Sequence, residues 1–166
     1  MDLNKLNPNF EVRKLSTLDA HEVYEMCKMN KTYYKFVPPM VTVDSICEDI
    51  KRLPPNTKEE DKYYLGLYEF GFLLGVIDLI LDYPSENCAF IGFFMIHKAY
   101  QNYGIGTSII KHLCDYLSMN GFTKIKLGIV TKNKIAERFW KKQGFEFTGI
   151  IAKEELYDVM IYTKKI

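Results

Sequence analysis

The sequence has no cysteine pair at Cys-x-x-Cys spacing, no long apolar run and no surplus of either charge. Each absence closes off a class of function. Cys27, Cys47, Cys88 and Cys114 are scattered, and only Cys114 has a histidine close by, His112, so no metal site is expected. Cys27, Cys47 and Cys114 fall in helical patterns beside apolar residues, where a free thiol behaves as a small hydrophobe. No stretch approaches the roughly 18 apolar residues of a membrane span, and no signal-like segment follows Met1. The expectation is a soluble, cytoplasmic protein with reduced thiols and no membrane partner. Its 22 basic and 21 acidic residues leave a formal charge of +1, which offers no field for nucleic acid. With neither an internal repeat nor a linker, residues 1–166 are expected to form a single domain.

What is present centres on the stretch Phe93 to Thr107. The apolar run Phe90 to Ile96 predicts a strand, and Ile105, Ile109, Leu113 and Leu117 recur at helical spacing, so the loop between them opens a helix. Gly104 and Gly106 remove side chains where the first N–H groups of that helix lack intrahelical partners, at the positive end of its dipole. Such a place suits a phosphate, although a tight turn into the helix would also use the glycines. Spacing excludes two familiar phosphate loops. A Walker loop ends in Gly-Lys-Ser/Thr, whereas Thr107 and Ser108 follow Gly106 with no lysine. A dinucleotide fingerprint needs a third small residue and a later acid, where this chain has Ile109, Lys124 and Lys126.

Taken in order, the residues up to Asn9 are polar and loose, and Phe10 to Arg13 alternate as a short strand. Ser16 or Thr17 caps a helix reaching Asn30, with Leu18, Val23, Tyr24 and Cys27 as its apolar stripe. An aromatic connection with Tyr33 and Tyr34 follows. Thr42 then caps a helix bearing Ile46, Ile50 and Leu53, stopped by Pro54-Pro55. Asn56 to Lys62 reads as a charged, disordered tip. Tyr63 to Phe70 and Phe72 to Leu81 form a hairpin about Gly71, and the turn from Asp82 to Asn87 leads into the strand ending at Ile96. The helix opening at Ile105 ends near Gly121. The crossover makes strand Lys124 to Val130 parallel to the one before it. Asn133 caps a last helix, Gly144 ends it, and strands Phe145 to Ile151 and Leu156 to Thr163 complete an α+β layered domain. Its mixed, mostly antiparallel sheet of about seven strands has helices on both faces.

Gln101-x-x-Gly104-x-Gly106 resembles the pyrophosphate-binding motif Arg/Gln-x-x-Gly-x-Gly/Ala of the GNAT superfamily of acyl-CoA-dependent N-acetyltransferases. Downstream, Asn133-x-x-Ala136-x-x-Phe139-Trp140-Lys141-Lys142-Gln143-Gly144-Phe145 resembles the family's Asn-x-x-Ala-x-x-Phe-Tyr-x-x-x-Gly-Phe segment. The matching core runs from about Phe72 to Thr148. This resemblance implies a splay between the fourth and fifth strands that admits the pantetheine arm, with acetyl-CoA as acyl donor. Phe94, Met95 and Ile96 would lend backbone groups to the pantetheine amides. Gln101, Asn102, Tyr103, Gly104, Ile105, Gly106 and Thr107 would cradle the pyrophosphate. Asn133 serves the cofactor, its own helix as an N-cap, or both.

The implied reaction is direct attack of an amine on the thioester, with a strand N–H at the oxyanion and a base for the amine proton. It needs no covalent intermediate, so the cysteines need no nucleophilic role. The family's general acid, a tyrosine, is replaced by Trp140, whose indole N–H does not titrate usefully. Trp140 then packs along the cofactor, and water or Tyr103 protonates the thiolate. For the base, Asp78 inside Val76 to Leu81 stands out, ahead of Asp82, Glu69 and Glu86; a carboxylate there faces a wet cleft, meets a partner or lies on a solvent face. Tyr33, Tyr34 and Tyr83 are candidate acceptor-site residues with Asp78, and His97 reads as structural. The expected partner is a small-molecule or peptide amine, and a homodimer is compatible with the aromatic-rich composition. The competing reading is a non-catalytic acyl-CoA-binding module.

Overall fold

The computed structural model describes residues 2–166. One sheet of seven strands runs in the order β1-β2-β3-β4-β5-β7-β6, with β1 Glu11–Lys14, β2 Lys62–Glu69, β3 Phe72–Ile80, β4 Cys88–Ile96, β5 Lys124–Val130, β6 Glu146–Lys153 and β7 Asp158–Lys165. Every pairing is antiparallel except β4 with β5, as a helical crossover between consecutive strands requires.

Both faces of the sheet are covered. One carries α4 Ile105–Met119 and α5 Lys134–Lys142 over Ile77, Leu79, Ile91, Leu127 and Ile129. The other carries α1 Ala20–Cys27, the single turn α2 Lys31–Tyr34, and α3 Val43–Lys51 over Tyr64, Tyr68, Val76 and Met95. Burial on two sides explains why Val76 to Ile80 is apolar almost throughout instead of alternating. Asp78 is the lone charge in that run.

Three expectations fail for local reasons. Ser16 does cap, but the first turn, Thr17–Asp19, is a 3₁₀ turn closed by a capping box with Asp19, and Leu18 is left 94% exposed, outside the apolar stripe. The charged tip after Pro55 is ordered at its end: Glu59–Asp61 forms a 3₁₀ turn, and Lys62 begins β2 with its side chain buried. Leu53 lies beyond the end of α3 and is partly exposed, whereas Ile46 is buried. Among the described residues no helix is long and apolar enough to cross a membrane.

Candidate active site

The site lies where β4 leaves β5. The two strands pair only from Cys88 opposite Lys124 to Ile91 opposite Leu127; beyond that, β5 continues against β7 while β4 stays on β3. At the divergence β4 contains a bulge, since Asp78 faces Phe93 while Leu79 faces Ile91, and Gly92 is the extra residue. Glycine is required there. A Cβ on Gly92 would stand 2.7 Å from Asp78 Oδ2, so the carboxylate occupies the room that a side chain would take.

Strand alternation decides which backbone groups of β4 are free. His97 N–H bonds Leu74 O, and Met95 O lies against Gly75, so the polar groups of Met95 are spent on β3. Those of Phe94 and the N–H of Ile96 face the splay. Of the three strand residues expected to supply amide contacts, Met95 therefore does not. Its side chain packs with α1 and α3 instead.

The loop after β4 passes through a 3₁₀ turn, Lys98–Tyr100, and two left-handed residues, Asn102 and Gly104, before α4 begins. Gly104 is the N-cap at φ +81 with no side-chain cap, and a Cβ there would meet nothing within 4 Å. The first N–H groups of α4, at Ile105, Gly106 and Thr107, thus lack both intrahelical and capping partners. The left-handed turns and the open space at Gly104 make an anion cradle. Gly106 completes the link to the splay, its Cβ position lying 3.4 Å from Phe139 and 3.5 Å from Ile96. Thr107 Oγ1 accepts from Gln143 Nε2 at 3.2 Å, joining α4 to the end of α5.

The Gln101 side chain is not aimed at the cradle. Its amide donates to Ile96 O at 3.0 Å and to Asn30 Oδ1, so it fastens the loop to the end of β4 and to the segment after α1. Tyr103 is 79% exposed and lines an open depression of about 430 Å³ with Asn9, Phe10, Glu69, Gly104, Ile105 and Ser108, at the entry to α4. Phe94, Phe139 and Trp140 do not line that depression, whereas Glu69 does. Tyr83 packs on Phe90, where β4 and β5 are still paired, and so stands at the closed end. Asp82 there accepts from Asn87 N–H, another structural use of a proposed base. His97 caps its 3₁₀ turn and packs edge-on against Phe72 and Tyr100, in the structural role expected of it.

Asn133 accepts from Ala136 N–H at 3.1 Å and is buried, which establishes its capping use. Trp140 is buried among Phe94, Phe139 and Phe145, with ring centroids 5.0 to 5.7 Å away. Phe94 also stacks on Phe139, so this cluster forms the apolar wall of the splay on the α5 side. On the opposite face Tyr33 meets Phe93 at 5.7 Å and Tyr34 at 5.0 Å, both edge-on. Burial raises both tyrosine hydroxyls well above their ordinary range, so neither is a base.

Asp78 meets a partner that its local sequence does not advertise. Lys62 Nζ donates to Asp78 Oδ2 at 3.2 Å and stands 3.1 Å from Oδ1. The same ammonium donates at 2.7 Å to the carbonyls of Asp49 and Arg52 at the end of α3. Burial pushes the Asp78 carboxyl up to about 6 against the pull of Lys62. Two buried polar atoms here have no hydrogen bond, Asp78 Oδ1 and Tyr64 Oη, on residues directly opposite each other in β2 and β3. Burial also lifts the nearby Cys27 thiol to about 12, which removes it as a nucleophile. Lys62 was hidden because it falls in a charged segment, and Asn30 because it reads as a helix end. A glycine within the apolar strand run was the available signal for the bulge at Gly92.

Known proteins resemble this chain in sequence and in fold. A "Probable spermine N(1)-acetyltransferase" of Bacillus subtilis subsp. natto is 32% identical over 99 residues, covering 55% of this chain and 65% of the relative, just under two thirds of its length. An acetyltransferase from Thermus thermophilus superposes with a TM-score of 0.77 at 16% identity, over 95% of this chain and 97% of the other. The PaiA N-acetyltransferase of Thermoplasma acidophilum, solved with coenzyme A, superposes at 0.68 with 20% identity, over 95% and 99%. Residues 20–145 match the Acetyltransferase (GNAT) family, and the chain belongs to that family.

Proposed function

We propose that this protein transfers the acetyl group of acetyl-CoA to a primary amine of a small molecule or peptide. The observation that carries the reading is the continuity of an uncapped, glycine-entered α4 N-terminus with the open edge of β4. An acyl-CoA fits both parts. Its pyrophosphate takes the N–H groups of Ile105, Gly106 and Thr107, and its pantetheine amides take the free groups of Phe94 and Ile96. The coenzyme A bound to the Thermoplasma protein supports the same ligand here.

Acetyl-CoA supplies an activated thioester; the protein supplies position, charge and a proton acceptor. Phe94 N–H stands at the splay as the donor for the developing oxyanion. Asp78, beside the bulge, receives the amine proton, directly or through one water, and its elevated pKa of about 6 suits a base near neutral pH. The Phe94–Phe139–Trp140 wall keeps water from the reacting carbon. Trp140 supplies no titrating proton, and a thiol of ordinary acidity, pKa about 8.5, leaves as the anion. The relative named as a probable spermine N(1)-acetyltransferase makes polyamines the first acceptors to examine.

Trp140 is also what favours the second reading, a binding module without turnover. One experiment separates the two. Thermal unfolding is followed with and without acetyl-CoA, and then thiol release is followed with a panel of amines. Ligand at 100 times its Kd is expected to stabilise the protein by about 2.7 kcal/mol. A shift without thiol release from any polyamine, amino acid or peptide amine selects the module. No shift at millimolar acetyl-CoA rejects both.

A further inference from the structure

Lys62 is the least expected group near the site, and its surroundings say more than that it is buried. Its three ammonium donors are all placed: two on the last-turn carbonyls of α3, at Asp49 and Arg52, and one on Asp78 Oδ2. Only the charged form can make all three bonds, so the geometry requires an ammonium. The end of α3 is the negative pole of its helix dipole, which by itself would favour a protonated, neutral Asp78. Lys62 stands between the two.

The other groups that face Asp78 do not replace it. From β2 comes Tyr64, kept neutral by burial. From α3 come Asp49, whose carboxyl is raised by burial, and Arg52, whose guanidinium is surface-exposed and engaged with Asp49. Around Tyr64 itself lie Cys27 of α1 and Tyr34 of α2, both neutral. From β4 come Gly92 and Phe93, which carry no charge. Both carboxylate oxygens of Asp78 lie within 3.2 Å of Lys62 Nζ, Oδ2 also fills the room beside Gly92, and the Tyr64 hydroxyl has no partner.

We propose that Lys62 is the positioning residue for the proton acceptor of this site, holding Asp78 ionised and fixed against the bulge at Gly92. The proposal rests on the reading of Asp78 as base. As the amine's C–N bond forms and the C–S bond breaks, the electron pair leaves with the thiolate and the amine proton passes to Asp78. Lys62 keeps its own protons throughout.

The test is the pH profile of kcat/KM for the amine. In the wild type, activity rises with pH through the ionisation of Asp78. In Lys62→Met the opposing cation is gone, so the acidic limb is expected to move up by about one pH unit or more, with the KM for acetyl-CoA unchanged. Lys62→Arg, which keeps the charge, is expected to hold the limb near its wild-type position. A limb unmoved in Lys62→Met, whatever its thermal stability, overturns the proposal. Asp78→Asn separates this failure from that of the underlying reading: a limb that persists in Asp78→Asn removes the base and this proposal together. Should Lys62→Met not fold, the intact wild type decides. The Lys62 ¹⁵Nζ resonance is expected to inflect at the pH of the acidic limb, and its absence there counts against the assignment.

Discussion

Gln101 Nε2 donates to Asn30 Oδ1 across 71 positions of sequence, joining the loop that opens α4 to the segment that follows α1. The same amide closes the last carbonyl of β4 at Ile96. One side chain therefore sets the relation between the anion cradle, the splayed strand and the helices of the opposite face. Gln101→Ala is expected to weaken acetyl-CoA binding by about fivefold, the value of one net hydrogen bond, and Asn30→Ala to weaken it in the same direction without touching the ligand. Calorimetric titration of both variants checks this; unchanged affinity in both would leave Gln101 with no organising role.

Gly104 combines a left-handed backbone with open space over the cradle. Gly104→Ala is expected to cost about 1–2 kcal/mol of stability through the backbone alone. Gly104→Glu adds a carboxylate where the pyrophosphate binds. It is expected to abolish the acetyl-CoA-induced rise in Tm while the far-ultraviolet circular dichroism stays that of the wild type.

Trp140 is a wall residue, so its replacements separate packing from proton transfer. Trp140→Ala removes a ring boxed by Phe94, Phe139 and Phe145 and is expected to cost about 3–5 kcal/mol of stability. Trp140→Phe keeps the apolar wall, and its kcat is expected to fall far less than the roughly 100-fold that marks loss of a general acid. Steady-state rates on the folded variants decide it. A loss of that size in Trp140→Phe would place the indole N–H on the leaving sulfur.

Glu137 of α5, turned toward Tyr162 of β7, accepts from Lys134, Lys141 and the Tyr162 hydroxyl, and these bonds lower its carboxyl from an ordinary 4.5 to about 2. A depressed carboxyl stabilises the fold above its unfolded pKa and loses that contribution as pH falls through the folded value. Wild-type stability is therefore expected to decline between about pH 4.5 and pH 2, and Glu137→Gln to flatten that part of the curve. Denaturant unfolding at several acidic pH values measures the difference.

Much of this molecule is legible in its sequence because the signals are local. The hairpin about Gly71, the crossover that makes β5 parallel to β4, the caps at Thr42 and Asn133, and the glycine-entered helix at Ile105 each depend on a few neighbouring residues. Residues near in sequence must satisfy one another's backbone groups, so the pattern and the structure agree. Apolar periodicity likewise located the helices, and failed at Leu18, where a 3₁₀ turn changed the pitch, and at Leu53, past the end of α3.

The electrostatics of the site were decided by the tertiary structure alone. Asp78 announced a cost without naming the partner that offsets it, because Lys62 lies 16 positions earlier and comes within 3.2 Å only through strand pairing. Tyr103, Tyr83 and Gln101 sit at the expected places along the chain, yet their side chains turn to an open depression at the entry to α4, to the closed end of β4 and to Asn30. Sequence order determined which residues are near the cradle. Which of their atoms face the splay depends on the register of β3 on β4 and the bulge at Gly92, because one extra residue in a strand resets the alternation of every side chain beyond it.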